Sequence, residues 1–134
     1  MRISIQVRYS DFDMMGHLNN SAYATYFELA RLQFLKSLFE QNSFTWTDVV
    51  ANLNIDYRLP VLPESKPLIL ITCSRIGNSS YDLDYKIVEE ANEALLYAEG
   101  KTIQVCVDPK TQTSQKLPDK AREILGNVLA SKKE

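Results

Sequence analysis

The 134-residue sequence is short of the groups that most catalytic and metal sites are built from. It has one histidine, His17, and two cysteines, Cys73 and Cys106, which stand far apart with no Cys-x-x-Cys pair. This argues against a structural zinc site, which takes four clustered Cys or His ligands. There are four glycines, and none forms a glycine-rich phosphate loop. No Gly-x-Ser-x-Gly occurs, so a serine-hydrolase nucleophile elbow is unsupported. No run approaches ~18 consecutive apolar residues, so no transmembrane helix is expected. The opening MRISIQVRYSD lacks an apolar stretch of signal-peptide length. The cysteines are therefore expected to be reduced and buried in a cytoplasmic protein. Basic residues are not in excess: 15 Lys and Arg against 17 Asp and Glu give a net charge of −2, which argues against a nucleic-acid partner.

What is present is an ordinary globular composition, 45% hydrophobic and 24% charged, at a length that predicts one domain over 1–134. Everything is organised around Val7 to Phe39. Ile3, Ile5, Val7 and Tyr9 alternate with Arg2, Ser4, Gln6 and Arg8, the period of a half-buried strand. A polar turn with Asp11, Asp13, Gly16, His17, Asn19 and Asn20 follows. Then Tyr23, Phe27, Ala30, Phe34 and Leu38 recur at helical spacing. Leu29, Leu32 and Leu35 widen that apolar face, which predicts a helix wrapped by a curved sheet. Glu28 with Arg31, and Lys36 with Glu40, mark its solvated edge.

Beyond the polar exit at Gln41 to Thr45, Thr47 to Ala51 reads as a short helical or irregular piece and Asn52 to Arg58 as a strand. Pro60, Pro63 and Pro67 make Leu59 to Pro67 a connection. Leu68 to Ile76 is apolar and β-branched, the mark of a central strand. Gly77 to Ser80 is a turn, Tyr81 to Glu89 a half-exposed strand, and Ala91 to Glu93 a second turn. Leu95 to Val107 is the last strand, with Gly100 as a bulge or kink. After a polar loop at Lys110 to Lys116, Pro118 suits a helix start, and Ala121, Ile124, Leu125, Val128 and Leu129 follow helical spacing. Residues 131–134 read as a frayed tail.

The chemistry in the turn has a plain reading and a functional one. Aspartates in turns commonly cap local N–H groups, and Asn19, Asn20 and Ser21 are good helix-cap types. Yet a carboxylate, Asp13, lies close in sequence to a helix start, where N–H groups lack partners and carry partial positive charge. Such donors stabilise an oxyanion while a carboxylate handles water. Gly16 is expected to supply a positive φ where the turn approaches a ligand.

The string RYSDFDMMGHLNNSAYATYFELAR resembles the signature of the hotdog-fold acyl-CoA thioesterases, the hydroxybenzoyl-CoA thioesterase-like family. The matching positions are Arg8, Tyr9, Asp11, Asp13, Gly16, His17, Asn20, Tyr23, Tyr26, Phe27, Glu28 and Arg31. The resemblance implies an α+β hotdog fold: an antiparallel curved sheet of about five strands around one long helix, plus a C-terminal helix. It implies Asp13 as the catalytic carboxylate, either general base on water or nucleophile through a mixed anhydride. It implies the Asn20 backbone N–H as the group polarising the thioester carbonyl. Asp11 is read as structural, and His17 as an orienting or substrate-contacting group. Plant-type acyl-carrier-protein thioesterases use a histidine at the equivalent place, but carry an asparagine where this chain has Met15. Arg75, Ser79 and Ser80 would meet the pantetheine and phosphates of coenzyme A. No metal or redox cofactor is implied. A homodimer or homotetramer with active sites at the subunit boundary is.

The function implied is hydrolysis of an acyl-CoA to free acid and coenzyme A. The alternatives are a thioesterase acting on acyl-carrier-protein, a hydratase or dehydratase on the same fold, and a non-catalytic acyl-CoA binder.

Overall fold

The computed structural model describes residues 1–130; the tail read over 131–134 lies outside the described residues. The elements are β1 (Arg2–Ser4), α1 (Asn20–Asn42), β2 (Asp48–Tyr57), β3 (Pro67–Ile76), β4 (Ser80–Glu89), β5 (Asn92–Cys106) and α2 (Asp119–Asn127). The strands form one five-stranded sheet in the order β1-β3-β4-β5-β2. β1 runs antiparallel to β3, with Ile3 opposite Ile69. A five-stranded antiparallel sheet, one long helix and a C-terminal helix are what the sequence predicts.

Contacts divide the chain into two compact units: Met1–Phe34 with Ile55–Ile71 and Tyr85–Gly100, and Leu35–Asn54 with Thr72–Asp84 and Lys101 onward. In the first unit, Tyr23, Phe27, Ala30 and Phe34 of α1 are buried, together with Ile3, Ile69 and Ile87. The Phe27 ring stacks on Tyr85 at 4.3 Å with the planes 7° apart, and Tyr23 meets Tyr57 edge-on at 4.9 Å. These offset and edge contacts add to simple area burial.

In the second unit, Trp46 is the hub. Its ring takes Phe39 edge-on at 4.7 Å and Tyr81 edge-on at 6.2 Å. Its indole N–H donates to Asp48 at 3.1 Å, and the buried Tyr81 hydroxyl donates to the same carboxylate. Helix α2 buries Ala121, Ile124 and Leu125, and Arg122 donates to the Gly77 and Asn78 carbonyls at 3.0 and 3.1 Å.

Several expectations change. The first strand ends at Ser4 rather than Tyr9, and Tyr9 is fully exposed. A short 3-10 turn over Tyr9–Asp11 replaces its second half. The Asp11 carboxylate accepts from the Arg8 N–H at 3.0 Å, and local side-chain bonds of this kind compete with a ladder. Thr47 to Ala51 is not helical: β2 is continuous from Asp48 and has no buried residue. As an edge strand exposed on both faces it carries no burial period to read. Leu29 and Leu32 do not widen the core face; they are 50% and 55% exposed. Asp82 and Val88 are buried, so β4 is covered more fully than half. β5 passes through Gly100 as one strand. Helix α2 ends at Asn127, leaving Val128 and Leu129 partly exposed.

Cys73 and Cys106 are unpaired and completely buried. Burial pushes the Cys73 thiol up to about 11 and raises that of Cys106. Since the thiolate is the reactive form, the native chain should leave a thiol-reactive dye unchanged at pH 8 and titrate two thiols only in denaturant. Rapid reaction of the native chain would contradict the packing.

Candidate active site

The site grows out of the segment between the 3-10 turn and α1. Phe12 and Leu18 form an isolated antiparallel bridge, and the Asp11 carbonyl accepts from the Asn19 N–H at 2.7 Å. These bonds close a loop whose tip is Asp13 to His17. Within it the Asp13 N–H donates to the His17 carbonyl at 2.8 Å and the Gly16 N–H to the Asp13 carbonyl at 3.1 Å. Gly16 sits at φ +76°, as expected. A Cβ there would meet nothing within 4 Å, so conformation rather than space calls for glycine.

Asp13 is exposed. Its Oδ1 accepts from the Met15 N–H at 2.9 Å and the His17 N–H at 3.1 Å. Its other carboxyl oxygen has no hydrogen bond among the described residues. The local capping reading and the functional one thus use different oxygens of one carboxylate. At the helix start, Asn19 rather than Asn20 supplies the cap: its Oδ1 accepts from the Ser21 N–H at 3.0 Å and the Ser21 hydroxyl at 3.1 Å. Among the described residues the Asn20 N–H has no acceptor. An unpaired N–H in the first turn is a ready anion donor.

Asp13, His17 and Asn20 line one cavity of about 360 Å³, together with Tyr23, Tyr57 and Arg58. The His17 imidazole makes no hydrogen bond among the described residues. The sequence reading missed Tyr57 and Arg58. Tyr57 donates its hydroxyl to the Asn20 carbonyl at 3.2 Å, and Arg58 is held by Glu99 at 2.9 Å. Both lie at the end of β2, where no local spacing points to a site.

Asp11 is structural, and its surroundings explain why. It is 8% exposed and accepts from the Tyr26 hydroxyl at 2.6 Å as well as from the Arg8 guanidinium at 3.1 Å. The Tyr26 hydrogen bond, then those from Arg8, hold its carboxyl below the usual carboxylate range against the opposing effect of burial. Burial, then Asp11, pushes the Tyr26 hydroxyl up, so it remains a donor. A depressed folded-state pKa means stability that is present above the unfolded carboxylate value and lost as pH falls through the folded one. Asp11→Asn should cost about 2 kcal/mol at pH 7, because one acceptor oxygen becomes an NH2 donor facing the donors of Arg8 or Tyr26 and a charge-assisted bond is lost. Its urea midpoint should also fall less than wild type's on acidification below pH ~4. Parallel acid limbs for the two proteins would show that Asp11 carries no such linkage.

The remaining predicted site residues lie in the second unit. Arg75 donates to the Ser80 hydroxyl at 2.9 Å and pairs with the buried Asp82 at 2.9 Å. A Cβ on Gly77 would sit 2.6 Å from the Arg75 guanidinium. The Ser79 carbonyl accepts from the Cys106 N–H at 2.8 Å. Arg75 and Ser80 are thus in direct contact; Ser79 belongs to the same turn through its backbone. Among the described residues, no three His, Cys, Asp or Glu side chains converge on a metal-sized site. No helix among them is long and apolar enough to cross a membrane.

Comparison with known proteins identifies the family. The family model of the thioesterase-like superfamily matches residues 7–125. The long-chain acyl-CoA thioesterase FadM of Escherichia coli is 31% identical over 135 residues, 96% of this chain and 99% of that one. The solved structure of YbaW, a probable thioesterase from Escherichia coli, superposes with a TM-score of 0.83 at 28% identity, covering 97% and 99% of the two chains. A Thermus thermophilus thioesterase complexed with coenzyme A and Zn gives a TM-score of 0.79 at 25% identity, covering 94% and 91%. The chain therefore belongs to the thioesterase-like superfamily and is a thioester hydrolase of the hotdog fold.

Proposed function

We propose that the chain is an acyl-CoA thioesterase with Asp13 as its catalytic carboxylate and the Asn20 N–H as its oxyanion donor. The observation that carries this is their shared cavity: a carboxylate with one oxygen tied down and one unbonded, beside an unpaired N–H at the start of α1. As general base, Asp13 takes a proton from water as the water oxygen attacks the thioester carbonyl. Negative charge on the carbonyl oxygen is met by the Asn20 N–H. Collapse of the tetrahedral intermediate breaks the C–S bond, leaving the acid and the coenzyme A thiolate. As nucleophile, Asp13 attacks the carbonyl itself, expels the thiolate and forms a mixed anhydride that water then hydrolyses. Single turnover in ¹⁸O-water tests for the second route, because label enters the Asp13 carboxylate only when water opens a mixed anhydride at the aspartyl carbon. His17, in the same cavity, is assigned to orienting or contacting the substrate, and Gly16 to the turn conformation that allows close approach.

Arg75, Ser79 and Ser80 are assigned to the coenzyme A moiety. The Arg75 guanidinium, fixed by Asp82 and Ser80 over Gly77, supports this as an ordered cation for phosphate. A homodimer or homotetramer with the active site at the subunit boundary belongs to the same proposal. It is supported by β2, an edge strand that exposes Val49, Val50, Leu53 and Tyr57, since exposed apolar edges invite pairing. A single catalytic domain over 1–134 is supported by the span of the family match, and a cytoplasmic location by the two unpaired cysteines.

A panel of acyl-CoAs read by a thiol-reactive dye tests the reading. Thiol release by wild type, lost in Asp13→Asn, supports it. Tight acyl-CoA binding without turnover, or turnover confined to acyl-carrier-protein thioesters, overturns it.

A further inference from the structure

A second cavity, of about 510 Å³, lies on the flank of α1 within the first unit, and none of its lining residues belongs to the cavity that holds Asp13. Its size falls within the roughly 300–1,000 Å³ of small-ligand sites. Ile3 and Ile5 of the N-terminal segment, Leu29 and Ala30 of α1, and Ile69 of β3 supply apolar wall. The segment leaves the ladder after Ser4, and Leu29 is half exposed. Apolar surface that α1 could have buried therefore faces this space.

Arg8 also lines the cavity and is its only charged group. The guanidinium spends one nitrogen on Asp11 at 3.1 Å and is otherwise unbonded among the described residues. Asp11, nine-tenths buried, is itself held by the Tyr26 hydroxyl, and Tyr26 is a further member of the cavity wall. The cation is therefore anchored, with N–H donors to spare. Ser4, Gln6, Thr25 and Gln33 complete the lining, so a largely apolar wall with a polar rim meets one guanidinium on a mostly exposed side chain held by Asp11, which matches a molecule with an aliphatic chain and a carboxylate head. Thioester hydrolysis releases a carboxylic acid, whereas the thioester substrate carries no carboxylate at that carbon.

The geometry points to the α1 flank cavity as a binding site for an aliphatic carboxylic acid, the product class of this enzyme, with the head group on Arg8 and the chain along Ile3, Ile5 and Leu29. At the acyl carbon the acid presents a carboxylate to Arg8 where the thioester presents an uncharged carbonyl, so the site favours product there.

Calorimetric titration of the full chain with decanoate, with decanol as the uncharged control, tests this. Decanoate should bind, and decanol should bind about tenfold or more weakly, as expected for loss of a charge-assisted contact. Arg8→Gln should weaken decanoate by a similar factor. Leu29→Glu, at a half-exposed position where folding tolerates a polar residue, should weaken both ligands. Asp13→Asn should leave decanoate binding unchanged, and its effect on thiol release is scored separately, so failure here is distinct from failure of the catalytic assignment. Three results each overturn the inference: no decanoate binding to wild type, which together with a halved assembly mass in Leu29→Glu makes this face a contact between copies; equal affinity for decanol; or binding indifferent to both Arg8→Gln and Leu29→Glu.

Discussion

Asp13→Asn should lower kcat by about 10²- to 10⁴-fold, the range supplied by a positioned general base, with the melting temperature almost unmoved. The two halves of this expectation have separate causes. The carboxylate is exposed and among the described residues makes two bonds to protein, both at Oδ1, from the Met15 and His17 N–H groups. An asparagine carbonyl accepts the same two bonds, so the loop keeps its shape. What disappears is the second carboxylate oxygen, which has no hydrogen bond among the described residues and belongs to the one carboxylate they contribute to the cavity. A variant with full activity would reduce Asp13 to a loop cap. A variant that loses activity and stability together would leave its role in the chemistry unsupported.

Asn20→Pro should lower kcat by about 10²- to 10³-fold, as for removal of one oxyanion donor, with little change in KM. Proline deletes the N–H and little else here. Asn20 is the first residue of α1, where proline's fixed φ is favoured and its missing N–H breaks no helical bond. A helix-cap residue typically has the extended backbone that a following proline requires. Asn20→Ala is the control: it keeps the N–H and removes the side chain, so it should retain most of the activity. Loss in both variants would assign the effect to the amide side chain instead. Activity retained in the proline variant would remove the backbone donor from the mechanism.

The fold was legible where its signals are local. The spacing of Tyr23, Phe27, Ala30, Phe34 and Leu38 predicts the buried face of α1, and all five are buried. The apolar run Leu68 to Ile76 predicts an interior strand, and β3 has neighbours on both sides. Local periodicity failed at several places, and at two of them the cause is plain. It over-extended β1, because the bonds of Asp11 to Arg8 and Tyr26 outweigh an alternating pattern. It also misread β2, because a strand exposed on both faces has no pattern to show. In the candidate site, Asp13, Gly16, His17 and Asn20 stood out because they lie within eight residues. Tyr57 and Arg58 did not, since they reach the same cavity from about forty positions further on.

By itself, then, the sequence determined the loop and the helix that follows it: a capped turn with glycine at its positive-φ position, and an apolar run whose buried side chains repeat every three or four residues. Those features depend on neighbours a few bonds away, and the residue order states them directly. Only the tertiary structure decided which faces stay open, which edge is bare, and what else lines the two cavities. Those outcomes follow from strand pairing in the order β1-β3-β4-β5-β2, where free energy comes from contacts between segments distant along the chain. No local spacing records which distant partner wins.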